Sequence, residues 1–322
     1  MGGRRATRPT IVDVARKAGV SKSLVSLVMR NASNVSEASR RAVLEAAEEL
    51  GYRPNAMARS LVQQRSFVIG VMVSDLSNPF FIDVIQGATD TAREAGYRAL
   101  VNTGGRDKHN EEDAIETLLR LQVDGLVLAG SIVDSKFIER VGAEVPTVIT
   151  NRHSRSQVID SIVIHDWKGA AMAVDHLVGL GHRKIVHITG GRGAGARNRL
   201  NGYRQAMKQH GLEEEIRVVA GAYTEKGGAE GVARLVDEGV EFTAILAPND
   251  LAALGVLEAL NARGFRVPED VSVVGYDDTF LAGEGVHDFD VYRADPSQPL
   301  SPDFFVPDAS KPPAGVSLTA KT

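Results

Sequence analysis

The pattern of apolar and polar positions divides the chain into a short helical segment and a longer segment in which strands alternate with helices. In residues 10–53, apolar residues recur at helical spacing in three short stretches. Thr10, Ser21 and Ser36 stand where each stretch begins, and they are residue types that cap helix N-termini. Gly19 marks a tight turn between the first two helices. Two short helices around a glycine turn, closed by a third, predict a helix-turn-helix module.

From residue 66 onward, short apolar runs alternate with amphipathic stretches, which predicts parallel sheets built from strand-helix units. The predicted strands are 67–73, 98–102, 125–128 and 146–149, then 185–189, 244–246 and 271–274, and the predicted helices are 80–95, 111–121, 168–180, 200–210, 226–237 and 251–262. We expect two doubly wound halves, residues 66–165 and 166–279. Such folds bind ligands at the carboxyl ends of their strands, in a cleft between the halves.

Charge is unevenly distributed between these segments. Residues 1–65 hold 12 Lys and Arg against 5 Asp and Glu, a net charge of +7, whereas the whole chain has a net charge of -4. Because basic side chains that neutralise phosphates release counterions, a basic module on an acidic body is typical of a nucleic-acid-binding protein. A solvated helix surface, or a three-helix bundle without a DNA role, remains the alternative from pattern and charge alone.

Composition excludes several classes of site. The chain has no cysteine, which excludes disulfides, thiolate metal sites and a cysteine nucleophile. With 43% hydrophobic and 24% charged residues it is an ordinary globular chain. Residues 1–9 are basic, no apolar run of signal-peptide length follows them, and no stretch is long enough to span a bilayer. We therefore expect a cytoplasmic protein that does not bind membranes.

Several strings of residues closely resemble the LacI/GalR family of repressors, in the order and spacing of that family. In the helical segment they are IVDVARKAGVS from Ile11, GYRPN from Gly51 and ARSL from Ala58. In the body they are DLSNPFF from Asp75, VDG from Val123, HLVGLGHR from His176, PND from Pro248 and GYDD from Gly275. The resemblance covers about residues 10–278.

The resemblance implies an α/β protein with two parts. The first is an all-α helix-turn-helix headpiece at 10–53, after a flexible N-terminus at 1–9 and before a hinge helix and linker at 54–65. The second is a periplasmic-binding-protein-like body of two doubly wound parallel-sheet subdomains. It further implies a homodimer on double-stranded operator DNA and a small-molecule effector, a sugar or sugar derivative.

The DNA contacts are expected on the second helix and the hinge. The second helix of a helix-turn-helix lies in the major groove, which makes its outward polar residues candidates. Leu61 of the hinge helix would wedge between base steps in the minor groove, the alternative being an ordinary linker leucine. The full set is Thr10, Ser21, Lys22, Ser23, Ser26, Leu27, Arg30, Asn55, Ala58, Arg59 and Leu61.

One departure from the family pattern bears on DNA sequence preference. Where the family commonly has Thr-Val-Ser-Arg followed by Asn, this chain has Leu24-Val25-Ser26-Leu27 and then Arg30. An arginine bidentate to guanine is the commonest specific base contact, whereas Leu27 offers only apolar contact, for instance to a thymine methyl. The operator is therefore expected to differ at that position.

Polar and aromatic residues at the predicted strand ends are candidates for effector binding. Carboxylates and amides bind vicinal hydroxyls, and aromatic rings stack on the apolar face of a sugar ring. Each such residue has an alternative role as a helix cap or loop residue. Together with the resemblance, the strand ends predict an effector site of Phe80, Asn151, Arg199, Tyr223, Asn249 and Asp277.

Other chemistry is poorly supported. The loop Gly191-Arg-Gly193-Ala-Gly195 has no P-loop lysine, which argues against nucleotide binding. His153, His165-Asp166 and His176 do not share a helical turn, so a metal or acid-base cluster is not predicted. No Gly-x-Ser-x-Gly elbow and no catalytic carboxylate pair occurs. We expect no enzyme activity, no catalytic residue, no metal and no cofactor; a periplasmic-type sugar-binding protein is the alternative class.

The family likeness stops after Asp278. Residues 280–322 hold six of the chain's 12 prolines and show no helical or strand period, which predicts a disordered tail. One hypothesis is a frameshift or truncation that replaced the family's C-terminal segments, and the alternative is a divergent tail. Unpaired sheet edges would weaken the body, so a regulator made defective by its altered C-terminus is a further alternative.

Overall fold

The structure, a computed structural model, describes residues 9–53, 65–283, 290–292 and 316–317. The chain forms two compact units, Met1–Ser66 and Phe67–Thr322, which we call the headpiece and the body. No helix in the described ranges is both long enough and apolar enough to cross a membrane.

The headpiece contains three helices, α1 (Ile11–Ala18), α2 (Lys22–Met29) and α3 (Glu37–Glu49). The predicted caps act in two ways. The Thr10 N–H and Oγ1 both donate to Asp13 Oδ2, at 2.9 and 2.7 Å. The hydroxyls of Ser21 and Ser36 instead accept hydrogen bonds, from Leu24 N and Ser39 N respectively. Gly19, at φ +67°, ends α1 in the left-handed region that favours glycine. The three apolar faces share one core: Val14, Ala15, Val25, Val28, Val43, Ala46 and Ala47.

The first half of the body, which we call the N-lobe, is a five-stranded parallel sheet in the order β2-β1-β3-β4-β5. Its elements in chain order are β1 (Val68–Val73), α4 (Phe80–Glu94), β2 (Arg98–Thr103), α5 (Lys108–Arg120), β3 (Gly125–Ala129), α6 (Ser135–Glu144), β4 (Thr147–Thr150) and β5 (Ile159–Ile162). Strand β1 is paired on both edges and four of its six residues are buried, as expected for a central parallel strand.

The second half, the C-lobe, is a six-stranded sheet in the order β11-β10-β9-β8-β6-β7, parallel except for β11. Its elements are α7 (Asp166–Gly179), β6 (Ile185–Ile188), α8 (Ala196–Gln209), a 3-10 helix (Glu213–Glu215), β7 (Arg217–Val219), α9 (Glu225–Asp237), β8 (Ala244–Leu246), α10 (Asp250–Asn261), β9 (Ser272–Tyr276), α11 (Phe280–Gly283), β10 (Asp290–Tyr292) and β11 (Val316–Ser317). Doubly wound topology is thus present in both lobes, and the predicted fold class is confirmed.

The structure adds elements that the hydrophobic pattern did not predict. Helix α6 and strands β5 and β7 are short or carry few apolar residues, so their periodic signal is weak. The tail, predicted to be disordered, contains α11, β10 and β11 among its described residues. Strand β10 runs parallel to β9 and pairs Asp290 with Val274, which gives the edge of β9 a hydrogen-bonding neighbour.

Candidate functional site

The headpiece presents one polar face of α2 to solvent. Lys22 and Ser23 are exposed and Ser26 and Leu27 are half-buried, while Val25 on the opposite face is completely buried. Residues spaced at i, i+1, i+4 and i+5 share a face of a helix, so the predicted DNA-contacting residues lie together. This face can enter a groove without disturbing the core.

The other predicted DNA-contacting residues divide into three groups. Thr10 and Ser21 are exposed and form the N-terminal caps of α1 and α2. Arg30 is exposed, and its Nε donates to Ser26 O at 3.2 Å, so its side chain folds back along its own helix. Asn55, Ala58, Arg59 and Leu61 lie outside the described residues. Their hinge role stays a prediction.

The body contains a cleft of about 350 Å³ between the carboxyl ends of the two sheets. Five of the six predicted effector residues line it: Phe80, Asn151, Arg199, Tyr223 and Asp277. The first two come from the N-lobe and the other three from the C-lobe. The strand ends therefore bring together aromatic and polar groups that are up to 197 positions apart in sequence.

Arg199, on α8, forms the centre of the C-lobe side. Its Nε donates to Asp166 Oδ1 at 2.9 Å, one Nη donates to Pro248 O, and the other lies 3.4 Å from Asp277 Oδ1. The guanidinium carbon lies 3.5 Å from the centre of the Tyr276 ring and 5.3 Å from that of Tyr223. Three hydrogen bonds and two rings fix this guanidinium in one orientation.

The carboxylates around Arg199 are buried. Burial raises the pKa of Asp277 to about 7, although the neighbouring Arg199 opposes that shift. Burial and then the charge of Asp277 also raise the pKa of Asp250, whose oxygens accept from Tyr276 N and from Thr279 N and Oγ1. Asp277 stands at φ +108°, so the chain turns sharply where β9 ends and directs this carboxylate toward Arg199.

The N-lobe side combines an aromatic ring with polar side chains. Phe80 is buried and packs edge-on against Phe81, with ring centres 5.3 Å apart, and its N–H donates to Asn78 Oδ1. Asn151 adopts φ +61° directly after β4, and its Oδ1 accepts from the Thr150 hydroxyl at 2.8 Å. These contacts hold both predicted residues at the cleft before any ligand contributes.

Two residues absent from the predicted set, Asp75 and Arg106, also line the cleft. Asp75 Oδ1 accepts from the N–H and hydroxyl of Ser77, and its buried Oδ2 lies 3.4 Å from Arg106 Nε. Arg106 also reaches the other lobe, where one of its Nη atoms donates to Tyr223 O at 3.2 Å. Arg106 thus joins the two lobes across the cleft.

Asn249 differs from the other predicted effector residues because it is not among those that line the cleft. It caps α10: its Oδ1 accepts from Ala252 N at 2.9 Å, and the side chain is almost completely buried. Its Nδ2 makes no hydrogen bond to a described residue. The capping alternative accounts for its position, as expected for an Asn directly before a helix.

The glycine-rich loop has a packing role. A Cβ added at Gly190 or Gly193 would lie 2.5 or 2.3 Å from ring atoms of Tyr223, so both glycines leave room for that aromatic ring. The Tyr223 hydroxyl donates to Ala194 O at 2.9 Å, which ties the ring to the same loop. The loop therefore shapes one wall of the cleft.

Glu111, which the hydrophobic and polar pattern did not single out, is completely buried. Its two oxygens accept from the hydroxyls of Ser74 and Ser131, at 2.7 and 3.0 Å, and from Ile132 N at 2.8 Å. Ser74 follows β1, and Ser131 and Ile132 follow β3. One carboxylate therefore holds two strand ends in place beside the cleft.

Within the described part of the chain, no three His, Asp or Glu side chains gather as a metal ion requires. His187, in β6, is buried, and this burial lowers the pKa of its imidazole to about 4. It is neutral at pH 7 and packs against Tyr203, with ring centres 5.4 Å apart. It belongs to the core of the C-lobe.

A helix-turn-helix headpiece joined to a two-lobed α/β body with a ligand-sized cleft defines the class of ligand-responsive transcription regulators. Two family models match: "Bacterial regulatory proteins, lacI family" at residues 10–55, and "Periplasmic binding proteins and sugar binding domain of LacI family" at residues 66–288. The chain belongs to the LacI family of DNA-binding transcription regulators. The predicted family is confirmed, and its members are regulators rather than enzymes.

Characterised relatives and solved structures agree with this assignment. The chain is 35% identical to the HTH-type transcriptional regulator GalR of Escherichia coli K12 over 276 residues, 85% of this chain and 80% of the relative. It is 33% identical to catabolite control protein A of Priestia megaterium over 277 residues, 85% of this chain and 83% of the relative. The lac repressor dimer bound to operator and the anti-inducer ONPF matches with a TM-score of 0.78 and 31% identity, over 90% of this chain and 88% of that one. A complex of the transcriptional regulator CelR with cellobiose matches with a TM-score of 0.64 and 31% identity, over 89% and 88%.

Proposed function

We propose that this protein is a cytoplasmic, homodimeric repressor that binds operator DNA through its headpieces and is controlled by a sugar or sugar derivative bound in the cleft. The observation that carries the proposal is the fixed guanidinium of Arg199, held between Asp166 and Asp277 beside two tyrosine rings. A preorganised polar centre in a concave site is what small-ligand recognition requires.

The chemistry of the cleft fits a polyhydroxylated ligand. Carboxylate, amide and guanidinium groups accept from and donate to hydroxyls, while Phe80 and Tyr223 offer aromatic faces to the C–H side of a sugar ring. The volume of about 350 Å³ lies at the lower end of the usual range of small-molecule sites, roughly 300–1,000 Å³. The cellobiose complex of the relative CelR supports a carbohydrate as the class of effector.

Control of DNA binding requires that the effector prefer one arrangement of the lobes. The cleft is lined from both lobes, so a bound ligand changes the free energy of lobe closure. The hinge, residues 54–65, would pass that change to the headpieces. By thermodynamic linkage, an effector that weakens operator binding must itself bind more weakly to the operator complex.

The test is a selection of bound fragments from random double-stranded DNA with the purified full chain, at two salt concentrations and with a panel of sugars. We expect a roughly palindromic site, because each protomer of a homodimer reads one half-site. Lys22→Gln should weaken binding and reduce the salt dependence by about one counterion, since Lys22 lies exposed on α2. Lys226→Gln, which removes the same charge from an exposed site in the body, is the matched control.

Absence of any preferred site would refute the DNA-binding part of the proposal. A palindromic site whose occupancy no sugar alters would refute only the carbohydrate effector. The hypothesis that an altered C-terminus makes the regulator defective predicts that the purified protein lacks a cooperative unfolding transition of the body, which thermal unfolding of the same preparation measures.

A further inference from the structure

A second compartment adjoins the cleft. This compartment has a volume of about 360 Å³ and shares Ile132, Arg192 and Ala194 with the first. The shared residues come from both lobes, Ile132 after β3 and the other two from the glycine-rich loop before α8. The two compartments therefore adjoin each other, and Arg192 lines both of them.

Two arginines line the second compartment. Two hydrogen bonds hold the guanidinium of Arg152 in place: one Nη atom donates to Val133 O, and the other donates to the Ser135 hydroxyl at 2.6 Å. A guanidinium has five N–H donors, so donors remain for a ligand. Arg192 is exposed and makes no hydrogen bond or ion pair with a described residue. The guanidinium of Arg152 is therefore preorganised, and that of Arg192 is available to bind a ligand.

The charge of this compartment is positive. Asp134 is the carboxylate among its lining residues, and the Lys108 ammonium forms an ion pair with it. The first compartment differs, because its arginines other than the shared Arg192 face carboxylates: Arg199 faces Asp166 and Asp277, and Arg106 faces Asp75. Compensated charges suit hydroxyl groups, whereas uncompensated guanidinium groups suit an anion.

We propose that the effector is an anionic sugar derivative, with its ring in the first compartment and a phosphate ester or carboxylate bound by Arg152 and Arg192 in the second. The proposal rests on the proposed function, since it assigns the chemical class of ligand to that same cleft. It also assigns roles to two arginines outside the predicted effector set.

The test compares matched pairs of ligands by isothermal titration calorimetry with the full chain. The pairs are D-glucose with D-glucose 6-phosphate or D-glucuronate, D-galactose with D-galactose 6-phosphate or D-galacturonate, and D-ribose with D-ribose 5-phosphate; cellobiose serves as a neutral ligand long enough for both compartments. In at least one pair, the anionic member should bind about tenfold more tightly or better, because hydrogen bonds to charged groups are stronger than neutral ones. The phosphate and carboxylate arms distinguish the two anions.

Three variants assign the effect to residues. Arg192→Gln should reduce the anionic preference to about threefold or less without loss of stability, because Arg192 is exposed and makes no hydrogen bond or ion pair with a described residue. Arg152→Gln should do the same, although it also loses contacts to Val133 and Ser135. Arg197→Gln removes an equal charge from an exposed position of α8 outside both compartments, and it should retain the full preference.

The outcomes separate this inference from the proposed function. Neutral sugars or cellobiose that bind at least as tightly as every anionic partner would overturn the inference and leave the carbohydrate effector standing. A preference that survives in both Arg192→Gln and Arg152→Gln would overturn the assignment of these arginines. If no member of any pair binds, the carbohydrate effector itself fails, and the inference fails with it.

Discussion

The fixed guanidinium of Arg199 gives the sharpest prediction for the body. Arg199→Met keeps much of the side-chain volume but removes the ion-pair partner of Asp166 and Asp277. The side chains of these two carboxylates are buried, with exposed fractions of only 2% and 5%. Breaking a buried ion pair by removing one partner typically costs about 3–5 kcal/mol, because a buried charge is left uncompensated. For a body of this size we expect a loss of that order, and a decrease in Tm of about 10 °C.

The chain offers its own probe and control for this measurement. Trp167, the single tryptophan, lies in the first turn of α7, so its fluorescence reports unfolding of the C-lobe in urea. Arg197→Met is the matched control, since Arg197 lies two residues away on the same helix and is exposed. The control should change the free energy of unfolding by less than about 0.5 kcal/mol.

A double variant tests the cause of the loss. If uncompensated negative charge destabilises Arg199→Met, then Arg199→Met combined with Asp166→Asn should recover part of the lost stability, which a double-mutant cycle measures. A loss below about 1 kcal/mol in the single variant would refute the buried-charge argument. No recovery in the double variant would instead indicate that lost packing causes the effect.

The pH dependence provides a second check on the same variant. The folded-state pKa of Asp277 is raised above its unfolded value by burial, so its contribution to stability is fully present below pH 3.8 and is lost as pH rises through about 7. Arg199 opposes this shift, so its removal raises the pKa of Asp277 further. The loss of stability in Arg199→Met, relative to the unsubstituted protein, should therefore be largest above pH 7 and smallest near pH 5. Equal losses at both pH values would contradict this.

Three further predictions address other parts of the molecule. Leu27→Arg should change the preferred base at the contacted step of sites selected from random DNA; identical site profiles before and after would refute a base-reading role for this position. Glu111→Leu should cost about 3 kcal/mol or more in urea unfolding, because two buried hydroxyls and one partly buried N–H lose their acceptor, whereas Glu111→Gln should cost less. The pKa of His187 is about 4 in the folded state, against an ordinary value of 6.5. Its contribution to the stability of the body should therefore be fully present above pH 6.5 and should decrease by up to about 3 kcal/mol as pH falls toward 4. The stability of His187→Asn relative to the unsubstituted protein should accordingly rise as pH falls through this window, and a constant difference would exclude titration of this residue.

The secondary-structure elements that could be predicted from the sequence are those whose signals are local. Helices α1 to α3 were predictable because a hydroxyl residue precedes each of them and a glycine in the left-handed region follows α1. Strand β5 was missed because only its two terminal residues are apolar, and β7 because it has three residues. A pattern that short has no measurable period. The tail strand β10 depends on its pairing with β9, which is not a local property.

The cleft was predictable only in part for a related reason. Strand ends in a doubly wound fold meet at one edge, which placed Phe80, Arg199 and Tyr223 together. Glu111 looked like an ordinary acidic residue in the first turn of a helix, because its partners are 20 to 37 positions away in sequence. Arg106 likewise acquires its role through Asp75 and through the Tyr223 carbonyl, which is 117 positions away. Their functions come from tertiary contacts that residue type does not reveal.

The distribution of polar contacts in the cleft limits what kind of ligand can act as an effector. A ligand shifts an equilibrium only by its differential affinity for the two states, so one that binds both arrangements of the lobes equally well does not move them. On the C-lobe, Arg199 is already fixed by Asp166, Asp277 and Pro248, and it offers a rigid anchor rather than a moving part. The groups that change partners on closure are those that span the cleft, and Arg106 already joins Asp75 to Tyr223 O. An effector must therefore compete with or reinforce that bridge while it is held at Arg199, which requires hydroxyls or charges at both ends of the molecule.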